Sequence, residues 1–225
     1  MLADEVISAS DALVLFHLGI WGSTLGSSIV GTGYSRPDVN ERSRDLALAF
    51  GVPLLFETPV TTGLPGPRWA LGYAGEIREI PCFGSMLGGA GFDRALEEGW
   101  CEANVRGVRS VMVRLGMASG RVESPDRYLV YTTVHRVNPR AGGLVVPIRG
   151  ADSFGRAVAK DELLGRVVSP YRLETIEELR APFAGYLAYW CRSYPVRPGD
   201  WTFGVIPQDD PGTRWIDGLS RDPAV

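Results

Sequence analysis

Histidine, lysine and cysteine are all scarce in this 225-residue sequence: it holds two histidines, His17 and His135, one lysine, Lys160, and three cysteines, Cys82, Cys101 and Cys191. Each scarcity excludes something. A catalytic zinc ion commonly takes three His, Cys, Asp or Glu ligands, often brought together by H-x-x-E or H-E-x-x-H on one element. Neither spacing occurs, because Leu18, Gly19 and Ile20 follow His17 and Arg136, Val137 and Asn138 follow His135. The sequence by itself therefore supplies no complete zinc site. Lys160 does not occupy the exposed hairpin position that a lipoyl or biotinyl carrier modifies, although Ala181-Pro182 with Gly185, and Pro198-Gly199-Asp200, are turns of the kind such carriers use. The cysteines are odd in number, widely spaced and without a C-x-x-C pair, which predicts reduced core thiols and no disulfide frame.

Long apolar runs and excess positive charge are missing too. The most apolar stretch near the start, Ala12 to Trp21, is broken by His17 and Gly19, and it is far shorter than the ~20 residues of a membrane span. Asp4 and Glu5 stand where a secretory signal would carry basic residues, so a cytoplasmic location is expected. With 23 basic against 26 acidic residues, a net charge of −3 and a pI of about 5.5, there is no cationic field to attract phosphate backbones or anionic lipid. Neither nucleic acid nor membrane is an expected partner.

What remains is ordinary globular composition, 45% hydrophobic and 22% charged with mean hydropathy +0.01, enough for one or two packed domains. The first part alternates strand and helix. Ala12 to Phe16 reads as a strand covered on both faces, running into His17 and a glycine-rich loop from Gly19 to Gly33. His17 at such a strand end would face the crevice where α/β sheets bind ligands. Asp38, with Glu41 three residues on, predicts a capped helix through Leu46, Ala47 and Phe50 that stops at Gly51. Val52 to Phe56 and Ile80 to Leu87 read as strands. Thr58 to Pro67 is a loop, and Asp93 to Leu115 is a helical stripe weakened by Gly99 and Gly107 and ended at Gly116. Gly88-Gly89-Ala90-Gly91 lacks the Lys-Ser/Thr of a phosphate loop and reads as a tight turn. From Tyr128 the pattern changes to short β runs, Tyr128 to Val134, Gly143 to Ile148, Leu163 to Val168, Gly185 to Trp190 and Thr202 to Ile206. The expected organisation is an α/β domain over 1–120, a β-rich module over 121–207 and an irregular tail over 208–225.

Several of these segments resemble the succinylglutamate desuccinylase/aspartoacylase family of zinc-dependent deacylases. Asp11 to His17 is similar to the family strand ending in Asp-Leu-His, Asp38 to Gly51 to the following helix, and Ile80 to Gly89 to the segment that carries the catalytic glutamate. The strongest likeness is C-terminal, in Leu164 to Pro170, Glu178 to Gly185 and Val196 to Trp201. The resemblance runs from about Asp11 to Ile206. It implies the C-terminal part of a zinc carboxypeptidase-like α/β domain, followed by a small all-β barrel or sandwich module. It further implies hydrolysis of the amide in a small N-acyl amino acid, with zinc as cofactor.

The resemblance also implies what is lacking. The family's early H-x-x-E supplies two zinc ligands well before the Asp-Leu-His strand, whereas ten residues precede Asp11 here and none is histidine. His17 is the one family ligand retained. The catalytic glutamate falls on Met86, whose thioether cannot carry a proton, and the strand's aspartate falls on Leu15. No acid lies between Ile80 and Gly91, with Glu76, Glu79 and Asp93 nearest. Arg180 is a candidate for a substrate carboxylate, as are Arg192 and Arg197. His135 has no family counterpart, and a surface or hydrogen-bonded role is expected.

The expected partner is a small acylated amino acid or related anionic molecule, with zinc weak or absent in this chain alone. Three readings stay open. The first is a split or truncated hydrolase in which another chain supplies the first strands and the H-x-x-E. The second is a non-catalytic ligand-binding or regulatory protein that kept the pocket. The third is a metal-free enzyme using the glycine-rich loop and Glu76 or Glu79.

Overall fold

A computed structural model describes residues 5–17, 23–61, 68–89, 93–148, 153–191 and 195–219. Its strands in chain order are β1 Leu13–Phe16, β2 Ser23–Thr32, β3 Leu54–Pro59, β4 Cys82–Gly89, β5 Arg127–Tyr131, β6 His135–Val137 and β7 Gly143–Pro147. There follow β8 Ala157–Val158, β9 Leu163–Val168, β10 Thr175–Arg180, β11 Gly185–Cys191, β12 Pro195–Val196, β13 Phe203–Pro207 and β14 Arg214–Asp217. The helices are α1 Pro37–Phe50, the short α2 Ala70–Gly72, which runs into a π turn at Tyr73–Ile77, and α3 Arg94–Arg114.

Ten strands share one mixed sheet in the order β14-β5-β3-β2-β11-β13-β6, with β4 also on β2, β1 on β4 and β8 on β11; β10-β9-β7-β12 form a second sheet. The result is a mixed α/β fold. β2 joins its parts. Its C-terminal half runs parallel to β3, its length from Thr24 to Ile29 pairs antiparallel with β4, and Ser23 to Leu25 pair with β11.

This central strand falls where the sequence reads as a glycine-rich loop, of which 18–22 lie outside the described residues. The correction has a steric cause. A strand buried on both faces normally announces itself with Val, Ile and aromatics, but here the neighbours supply the bulk. A Cβ on Gly26 would lie 2.4 Å from the Phe154 ring, and one on Gly31 2.3 Å from the Tyr34 hydroxyl. Small residues were selected by packing, and they erased the periodic signal.

The two faces of the α/β sheet differ. On the back, Val30, Leu55, Phe83 and Val130 pack with Leu46 and Phe50 of α1 and Val111 of α3. On the front, Leu25, Ile29, Leu54, Met86, Leu129 and Tyr131 pack with Tyr34, Leu71, Ala188 and Tyr189. A third cluster joins Val145, Leu164, Val167 and Leu179 of the small sheet to Leu187, Trp190, Phe203 and Val205 of β11 and β13.

Several boundaries depart from expectation. β1 pairs with β4 alone among the described strands; Leu13 and Leu15 pack on the front cluster and Val14 on the back one, all half-buried, and Phe16 is 53% exposed. Asp38 does not cap α1. Pro37 takes the first helical position after Arg36 and Asp38 binds the Arg36 guanidinium, while the Asn40 amide donates to the Tyr34 and Arg36 carbonyls and its oxygen accepts from Tyr34 N–H. Gly51 ends α1 in the left-handed conformation, φ 87°, as expected. Asp93 caps α3 by accepting from Leu96 N–H at 3.2 Å. Gly88 and Gly89 extend β4. The tail is not wholly irregular, because β14 pairs antiparallel with β5, and Arg214 meets the mostly buried Glu57 at 2.8 Å. No described helix is long and apolar enough to cross a membrane.

Candidate functional site

The front face gathers the residues that bear on function. β1 and β4 run parallel with Phe16 opposite Ser85, and His17 N–H continues the ladder by donating to the Ser85 carbonyl at 2.9 Å. The next pair in that register is His17 and Met86, on the same side of the sheet. Met86 is 7% exposed and pairs across β2 with Ser27. The Tyr131 hydroxyl, from β5, donates to Ser27 Oγ at 3.0 Å, and its ring stacks on Phe56 of the intervening β3 at 5.0 Å. A row of side chains thus runs across the sheet from imidazole to thioether to two hydroxyls.

Tyr189 joins this face because β11 is irregular. Leu187 pairs with Val205 but Tyr189 with Gly204, a register shift at Ala188. A bulge of this kind turns the following side chain to the other face. Leu187 accordingly lies in the core between the sheets while Tyr189 lies in the front cluster. The Tyr189 ring covers Gly204, where a Cβ would come within 2.1 Å of it, and it stacks on Trp201 at 6.0 Å. Exposed Arg136 sits over the other ring of this stack, its Cζ 3.6 Å from the Trp201 centroid.

Burial governs the acidity of these hydroxyls. It pushes Tyr131 up to about 12, with the Ser27 hydrogen bond pulling the other way. It raises Tyr189 as well, Arg136 opposing and Tyr131 adding to the rise. Both phenols are neutral at ordinary pH and unsuited to accepting a proton; Tyr131 spends its O–H on Ser27, which leaves the Tyr189 hydroxyl as the donor suited to a carbonyl or carboxylate oxygen. The Tyr189 hydroxyl and His17 Nδ1 are buried and have no hydrogen-bond partner among the described residues.

A zinc ion does not fit this donor set. Among the described residues no three His, Cys, Asp or Glu side chains converge, and the sequence stretches 18–22 and 90–92, which flank the ends of β1 and β4, contain none of these residue types. His17 stands with a thioether and hydroxyls beside it. The acids nearest Met86 in sequence have other tasks: Glu76 accepts from Ser35 N–H at 2.9 Å and from its hydroxyl, Glu79 pairs with Arg36 at 2.8 Å, and Asp93 caps α3.

Arg180 lies in β10, donating to Glu178 at 3.2 Å and to the Asp161 carbonyl at 2.8 Å, so its described contacts are away from the front face. Arg192 lies outside the described residues. His135 is exposed on β6 with its ring edge-on to Phe183 at 5.0 Å. Cys82 and Cys191 are buried and Cys101 is exposed, all three free; the expectation of core thiols fails for Cys101. Ser27, Tyr131, Tyr189, Arg136 and Trp201 escape a sequence reading. Strict alternation puts Tyr189 on the Leu187 face, and only the bulge moves it.

No family profile and no curated protein matches this sequence. Solved structures do match the fold. A succinylglutamate desuccinylase/aspartoacylase from Rhodobacter sphaeroides superposes with TM-score 0.70 at 20% identity, over 92% of this chain and 61% of that one. The ectoine utilization protein EutE (DoeB) of Ruegeria pomeroyi, in a product-bound structure, gives TM-score 0.71 at 20% identity, over 91% of this chain and 61% of that one. An aspartoacylase family protein from Mesorhizobium loti gives 0.65 at 15% identity, over 92% and 66%. The fold of this chain is therefore that of these deacylase-family structures, and it spans about 61% of the length of the first.

Proposed function

We propose that this chain is a deacylase-family protein built on the C-terminal part of a zinc carboxypeptidase-like domain and its β-module. In this reading the front face is the family pocket for a small N-acylated amino acid or related anion. The chain alone has weak or no zinc-dependent amide hydrolysis, and a partner chain completes it. One observation carries the reading: Met86 is buried and next in register to His17, and it is the residue that the resemblance sets at the catalytic glutamate, where a thioether cannot take a proton. The likeness of fold to the Rhodobacter structure supports the family level of this reading.

A second reading keeps the pocket and drops the chemistry. It is favoured by the Tyr189 hydroxyl, without a partner among the described residues, and the Arg136 guanidinium stacked on Trp201 beside it, groups that hold an anion without reacting with it.

The test is metal analysis of the purified chain, with calorimetric titration and turnover assays on N-acetyl and N-succinyl amino acids. Binding without turnover supports the second reading. Turnover that starts on adding a chain bearing H-x-x-E supports the first. Stoichiometric zinc with turnover by the solitary chain sinks both.

A further inference from the structure

Helix α3 buries Gly107, Ser110 and Val111 against the back of the sheet, yet it carries a second apolar row. Cys101, Val105, Val108, Met112 and Leu115 succeed one another at steps of 4, 3, 4 and 3 residues. Val105 is 64% exposed, Met112 37% and Leu115 36%, Cys101 is exposed and Val108 half-buried. Val108 also packs on the back-face core, but the rest of the row turns to solvent, and its spacing is that of a two-helix coiled-coil seam.

We infer that two copies of this chain associate through α3, the helices antiparallel. The charges beside the row select both the occupant and its direction. Glu102 and Arg109 lie one heptad apart on the outer edge of the row, both exposed, and neither forms an ion pair with another described residue. Glu97 lies on the opposite edge. Parallel pairing sets Glu97 of each copy against Glu102 of the other, a like-charge contact repeated by symmetry. Antiparallel pairing places Val105 over Val108 of the second copy, Cys101 over Met112 of the second copy, and Glu102 beside Arg109 of the second copy, twice over. The surface is thus complementary to itself across a two-fold axis, as an isologous contact requires. A different chain would have to match both the heptad steps and the charge order. A second copy matches them by construction.

Sedimentation of the purified full chain over a concentration series tests this. A reversible dimer is expected. Val105→Arg, at a position already in solvent, is expected to keep the circular dichroism and unfolding midpoint while weakening the dimer about tenfold or more. Glu102→Arg and Arg109→Glu each weaken it, and the double exchange restores it. Under a mild copper–phenanthroline oxidant, Met112→Cys gives a covalent dimer through Cys101 of one copy and position 112 of the second, whereas the unaltered chain gives none. A chain that stays monomeric, a dimer indifferent to Val105→Arg, or a Cys101–Cys101 crosslink in the unaltered chain overturns the inference.

Discussion

The Tyr131 hydroxyl lies 3.0 Å from Ser27 Oγ, joining two strands that are not neighbours, since β3 runs between β5 and β2. Both groups are buried. Tyr131→Phe removes the donor and leaves the Ser27 hydroxyl short of a partner, so it should cost about 1–2 kcal/mol. Urea unfolding measures this. Removing both hydroxyls with Ser27→Ala in the Tyr131→Phe background should cost less than the sum of the single changes, because no orphan remains.

Alkali should destabilise the protein in two steps. Burial raises the Cys82 thiol from 9.0 to about 11 and Tyr131 from 10.0 to about 12. Each group is raised in the folded state, so its stabilising contribution is whole below the unfolded value and fades as pH climbs through the folded one. Unfolding midpoints should hold to about pH 9, fall from there as the unfolded thiol ionises, and fall more steeply beyond pH 10. Cys82→Ala should remove the first part of the decline.

Gly99 and Gly107 give a matched pair in one helix. On helix propensity, alanine at either position gains about 1 kcal/mol. At Gly99 a Cβ meets nothing within 4 Å, so Gly99→Ala should stabilise by that amount. At Gly107 the Cβ meets the Phe50 ring and the Phe50 carbonyl, each at 2.7 Å. A backbone oxygen cannot swing aside, and overpacking of this kind costs roughly 1–3 kcal/mol, so Gly107→Ala should destabilise. Thermal unfolding of the two variants decides the sign of each.

Met86→Glu sets an acid next in register to His17 but buries a carboxyl among Leu25, Ile29 and Tyr131. The charged form pays for desolvation, an effect on the order of 3 kcal/mol at neutral pH. Because burial raises the new group's folded pKa, the deficit should shrink as pH falls toward the ordinary glutamate range. A deficit that stayed constant with pH would mean that the carboxylate reaches solvent or a cation.

The element types were largely legible in the sequence. Helices α1 and α3 lie where period and the glycines Gly51 and Gly116 place them, and Leu163–Val168 is a strand from end to end as read. Polar strands were not legible. Thr175–Arg180 carries two glutamates and an arginine along an outer strand of the small sheet, so only Leu179 is buried and no alternation of apolar residues marks it. β2 was hidden for the opposite reason, its faces being packed by partners' side chains in place of its own.

The site divides the same way. Composition alone showed that histidine and cysteine are scarce, and local pattern placed Met86 in a strand and His17 at the end of another. Only the tertiary structure decided that these two share a register, that Ser27 and Tyr131 extend the row, and that Tyr189 faces it. Strand pairing joins residues far apart in the chain, and a single extra residue in one strand reverses which face every later side chain serves, so local sequence carries no record of either.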